Sequence, residues 1–256
     1  MIERGEQCGD TFDATFDTYH WREHSSDIQA ILYRPRIRAF MRDVVDPALT
    51  ALDADIARWS DNQEGGWMFA RADAEALLHA TVQAFCLSIQ SLWERQLRNW
   101  LCACIAVGPR RSQQLSTARH DGLIGLSALL AELRGIPLSA FPSWGDLDLL
   151  QRVGNACRHG DGRSAAELFR SNPELWPTWS SAPDRWFAQG SPTAPPSPPS
   201  FEQAVLPREL LVQFANGIVG FWEDVEYLRL KGIKRKDERI LQAMAELRAA
   251  RVVRCS

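Results

Sequence analysis

The chain has 256 residues, 45% apolar and 24% charged, with a net charge of −3. That balance suits one large globular domain, or one domain with appended pieces, and it excludes a protein coated in positive charge for nucleic acid, though not a local basic site. Six scattered cysteines (Cys8, Cys86, Cys102, Cys104, Cys157 and Cys255) without a C-x-x-C read as reduced cytosolic thiols rather than a disulfide framework.

The first 27 residues carry seven acids against two arginines and do not read as a secretory leader. Within them His20 and His24 stand four apart, with Asp17 and Asp27 nearby, a spacing that could hold a metal; a solvated acidic segment explains them as well, and no metal is expected. Residues 27 to 59 place apolar side chains every three to four positions, from Ile28 through Ile37, Val45 and Leu52 to Trp59. They predict helices divided at Pro35 and Pro47 and ended by DNQEGG. Residues 71 to 106 predict the longest helix, roughly 50 Å at 1.5 Å per residue. Its wide apolar stripe includes Val82, Phe85, Ile89, Trp93, Leu97 and Trp100, and His79 on it reads as structural. Cys102 and Cys104, two apart, point to opposite sides.

Gly108-Pro109 stops that helix, and a shorter one covers about 120 to 134, with His120 in its cap region and Gly135 as its end. A turn with two prolines leads to a helix that starts at Ser143 or Trp144 and ends at His159, with Gly160 as its left-handed stop. Ser164-Ala-Ala-Glu167 has the form of a capping box and restarts a helix. From 177 to 206 the chain is rich in Pro, Ser and Ala and reads as an extended excursion. Trp176, Trp179 and Trp186 around it could stack on bases or pin the loop down. Pro207 opens a strong helix through Leu228, and a basic helix of about 235 to 251 follows. Residues 229 to 254 carry nine Lys or Arg against three acids. No alternating strand appears, and no apolar run approaches the roughly 18 residues of a membrane span. The expected fold is an all-α bundle with a long central helix. Its divisions are an acidic segment (1–26), a helical core (27–176), the Pro-rich loop (177–206) and C-terminal helices packed on the core (207–256).

One stretch carries chemistry, LQRVGNACRHGDGRSA, residues 150 to 165. On a helix, Arg152, Asn155 and His159 are three and four apart and share a face, with Arg158 beside the histidine. An imidazole exchanges protons at neutral pH, a guanidinium holds a phosphate, and an amide can orient either one. Together they suit RNA cleavage without a metal, in which the 2′-hydroxyl attacks the adjacent phosphorus.

The segment resembles the motif of the HEPN superfamily (higher eukaryotes and prokaryotes nucleotide-binding), an Arg, four to six residues, then a His. Arg152 and His159 are separated by six residues, VGNACR; the commoner spacing would put the arginine at position 154, where this chain has Gly, and Arg158 could substitute. SLWERQLRNWL, residues 91 to 101, is similar to the HEPN helix that carries an acid on an apolar face, which is Glu94 here, a carboxylate that needs a partner such as Arg152 or Arg158. The resemblance spans about 71 to 170. It implies an α-helical, cytoplasmic homodimer that cuts RNA without a cofactor, a toxin or phage-defence effector with a neutralising protein partner. Two rivals stand beside it. A histidine in a last helical turn is favoured by the helix dipole alone, and the same face could serve a non-catalytic module that binds a protein partner or a nucleotide.

Overall fold

The computed structural model describes residues 26, 28–61, 65–177 and 199–255. Helices dominate and no strand occurs among the described residues, so the all-α expectation holds. In chain order the helices are α1 (Ile28–Phe40), α2 (Asp46–Ser60), α3 (Trp67–Cys104), α4 (Arg111–His120), α5 (Leu123–Arg134), α6 (Trp144–His159), α7 (Arg163–Ser171), α8 (Glu209–Gly232) and α9 (Glu238–Cys255). None of them is long and apolar enough to cross a membrane.

The chain divides into two compact units, neither of them one continuous stretch: residues up to 46 with 91–148 and 212–256, and residues 47–90 with 149–211. The first unit is built on aromatic packing. Trp93 and Trp100 of α3 meet Phe221 and Trp222 of α8 edge-to-face at centroid distances of 4.8 to 6.0 Å. That arrangement suits ring quadrupoles. The buried indole of Trp222 donates to Gln96 Oε1 at 2.8 Å, so its N–H is not stranded. In the second unit Trp176 is 2% exposed. It lies edge-on to Phe169 at 5.3 Å, and its Nε1 donates to the Ser200 carbonyl at 2.9 Å. Trp176 is therefore core. Trp179 and Trp186 lie outside the described residues, as does most of the Pro-rich loop.

Several local expectations are corrected. Pro35 does not divide a helix; it lies inside α1. A π-helical turn, Met41–Val45, joins α1 to α2, and the Asp46 N–H reaches back to the Met41 carbonyl. Pro47 has no N–H to donate, and the wider turn accommodates that loss. α4 is a helix the apolar pattern missed, and His120 is its last residue rather than the cap of the next. The helix expected near Ser164 begins at Arg163, without the capping-box bond: Gly162 is its N-cap, and Glu167 pairs with Arg163 at 2.7 Å. The left-handed stops are as expected, with φ of 85° at Gly135 and 62° at Gly160.

A buried ionic cluster ties α9 to α8. Arg251, 1% exposed, donates through Nε to Asp224 Oδ1 at 2.8 Å, and Arg254 reaches the same oxygen at 3.2 Å. Arg254 also pairs with Glu223, which accepts from Arg38 at 3.2 Å. The Arg251 guanidinium lies 4.7 Å from the centroid of Tyr227. Removing one partner of such a pair strands the other charge in the interior. We predict that Asp224→Ala lowers the stability measured by urea unfolding by about 3 to 5 kcal/mol, and that Asp224→Leu combined with Arg251→Met recovers most of the loss. A single-variant loss below about 1 kcal/mol would mean the cluster is not buried as described.

Candidate active site on the last turns of helix α6

Four of the five sequence-derived site residues, Arg152, Asn155, Arg158 and His159, lie on α6 within the second unit. Glu94 belongs to the first unit. Its half-buried carboxylate accepts from Arg98 Nη2 at 2.9 Å, so the arginine it anchors is Arg98. Arg98 in turn donates to the carbonyls of Ala118 and Asp121 at 3.1 and 2.8 Å and so satisfies the C-terminal end of α4. Glu94 thus serves a helix terminus.

α6 packs against Gln90, the last residue of the α3 segment in this unit, which is fully buried. A Cβ on Gly154 would lie 2.4 Å from Gln90 Oε1 and 3.0 Å from its Cβ. A side chain at position 154 would therefore have to displace the Gln90 amide. The buried amide is then satisfied by the neighbours of Gly154. Gln90 Nε2 donates to Asn155 Oδ1 at 3.4 Å, and Arg158 Nη2 donates to Gln90 Oε1 at 3.3 Å. Gln151 Nε2 donates to the same Asn155 oxygen at 3.4 Å.

Arg152 Nη1 donates to Ser171 Oγ at 2.5 Å, joining α6 to α7. Beside it Glu167 sits among cations: its bond from Arg163, with the fields of Arg170 and Arg152, holds its carboxyl below the usual glutamate range. His159 is exposed, and its side chain makes no hydrogen bond to any described residue. It lies seven positions beyond Arg152, roughly 10 Å along the axis. The turn after His159 is fixed by Asp161, whose Oδ1 accepts from the Phe201 N–H at 2.6 Å and from Ser200 Oγ at 3.1 Å.

Sequence reasoning missed Gln90, Asp161 and Ser171. Gln90 left a trace, a polar residue in the middle of an apolar stripe; the other two left none. His20, His24, Asp17 and Asp27 lie outside the described residues, and no three metal-ligating side chains gather among the described ones. A cleft of about 610 Å³ in the first unit is lined by Arg38, Ser143, Asp146, Glu223 and Arg254 among others. Its polar groups largely engage one another: Arg38 and Arg254 pair with Glu223, and Gln213 donates to Asp146. No family model matches the chain, and no curated protein or solved structure matches it either.

Cys157 shares α6 with these residues but is no nucleophile. Burial pushes its thiol up to about 12, and burial together with the nearby Cys157 sulfur pushes Cys86 higher still. Both stay protonated at neutral pH, and only the thiolate reacts. We expect iodoacetamide at about pH 8 to leave Cys86 and Cys157 unmodified in the native protein and to alkylate both after denaturation, as read by mass spectrometry. We also expect Gly154→Ala to cost about 1 to 3 kcal/mol of stability by overpacking against Gln90. A neutral Gly154→Ala would show that α6 does not approach Gln90 this closely.

Proposed function

We infer that the chain is a metal-independent endoribonuclease that works as a homodimer, with His159 moving the proton and arginines holding the phosphate. One observation supports this most. Beside polar side chains that are fixed, Arg152 by Ser171 and Asn155 and Arg158 by Gln90, the imidazole of His159 stands exposed and, among the described residues, uncommitted. Proton transfer needs a group that can change its hydrogen-bond partner; positioning needs groups that cannot. In this reading His159 takes the 2′-hydroxyl proton as that oxygen bonds to the adjacent phosphorus, the bond from phosphorus to the 5′-oxygen breaks, the 5′-oxygen leaves as a hydroxyl with a proton returned to it, and the arginines stabilise the charge that builds on the phosphate oxygens. Arg152 of one chain and His159 of its partner would meet across a twofold axis. The resemblance to HEPN proteins points the same way and brings with it a toxin or defence role and a neutralising protein partner.

A second reading is favoured by the satisfied state of Asn155, whose oxygen already accepts from both Gln90 and Gln151. A residue so engaged is more useful to a helical module that binds a protein partner or a nucleotide than to a reacting centre. Wild type and His159→Ala, incubated with total RNA in EDTA, separate the two. The nuclease reading expects wild-type cleavage and a loss of at least about 100-fold in the variant. Equal cleavage by both proteins, or none by either, contradicts it.

A further inference from the structure

The turn between α8 and α9, KGIKRKDER (231–239), holds five basic residues against two acids in a chain whose net charge is −3. Lys234, Arg235 and Arg239 are exposed, and among the described residues none of the three carries a hydrogen bond or an ion pair. Among the other six basic residues of 229–254 the arginines are already spent, Arg229 on Glu226, Arg251 on Asp224, Arg254 on Glu223, and Arg248 on the Tyr227 hydroxyl at 2.7 Å, and Lys231 and Lys236 are engaged as well. Asp237 is spent as well, because its Oδ1 accepts the Ile240 N–H at 2.9 Å as the N-cap of α9.

The turn is held at both ends. The Ile233 N–H donates to the Leu230 carbonyl at 3.2 Å, Lys236 Nζ to the Ile233 carbonyl at 2.7 Å, and the Leu241 N–H to the Asp237 carbonyl at 3.1 Å. A pinned backbone presents its cations at reduced ordering cost. Two of the three free cations are guanidiniums, whose fork matches a phosphate. Ile233, half-buried, is the single large apolar side chain of the turn, which is little for insertion into a lipid interface.

We propose that Lys234, Arg235 and Arg239 form a sequence-independent contact for the sugar–phosphate backbone of single-stranded RNA. The choice of RNA rests on the nuclease reading; the contact itself does not require cleavage. The experiment is fluorescence anisotropy with a short mixed-sequence RNA, 2′-O-methylated so that it cannot be cut, titrated with the full chain and with the triple variant Lys234→Ala, Arg235→Ala, Arg239→Ala across salt. Each phosphate contact on a single strand adds about 0.7 to the slope of log affinity against log salt, so losing three flattens the slope by about 2. Between about 50 and 200 mM salt the wild type then loses roughly 20-fold more affinity than the variant. Unchanged helicity by circular dichroism, expected because the three side chains have no partners among the described residues, shows that the variant is folded. An unchanged slope overturns the proposal. So does a triple variant that binds RNA normally but no longer binds phosphatidylserine vesicles. RNA bound through the turn but never cut in its 2′-hydroxyl form removes the nuclease and leaves the contact; RNA cut with an unaltered slope removes the contact and leaves the nuclease.

Discussion

A fully buried glutamine facing a glycine sets the geometry on which the candidate site depends. Gln90 cannot be left unsatisfied, because an unpaired buried amide costs about 1 to 3 kcal/mol. Gly154 lets the α6 backbone come close enough for the flanking side chains to satisfy it. Asn155 and Arg158 are the ones that do so, and their positions follow from the needs of Gln90. His159, one residue further on at the helix end, is left outside this arrangement and open to solvent. The packing fixes three polar groups and, among the described residues, leaves the His159 imidazole uncommitted.

The apolar stripes and glycine stops were legible because both are local. Gly135 and Gly160 take the left-handed φ that a helix end favours, and the Trp93–Leu97–Trp100 face of α3 is buried as its spacing requires. What stayed illegible was set at a distance. α4 has Leu115 and Ala118 but no stripe, and Arg98, twenty residues before Ala118, helps to finish it. The tie from Asp161 to Phe201 spans forty residues, across a segment whose composition signals only irregular chain. The capping box at Ser164 failed because Glu167 found a stronger partner one turn back in Arg163.

The charge bias along the C-terminal stretch separates into two physical classes. Arg229, Arg248, Arg251 and Arg254 are engaged with groups on α8, so they hold α8 in order or bind it to α9. Lys234, Arg235 and Arg239 are exposed and, among the described residues, have no hydrogen bond or ion pair. Composition could count these cations but not sort them, because sorting depends on which face of α9 meets Asp224. The same holds for Glu94. Its place on an apolar face was visible in the sequence, whereas Arg98 as its partner, four residues along the same helix, is a matter of side-chain geometry.

The chemistry assigned to His159 is tested most directly by the new ends of RNA that the purified protein has cut in EDTA. Attack by the 2′-hydroxyl leaves a 2′,3′-cyclic phosphate on one fragment and a 5′-hydroxyl on the other, and mass spectrometry distinguishes these from other termini. Those ends are the predicted result. A 3′-hydroxyl paired with a 5′-phosphate, or RNA recovered intact, would contradict the assignment.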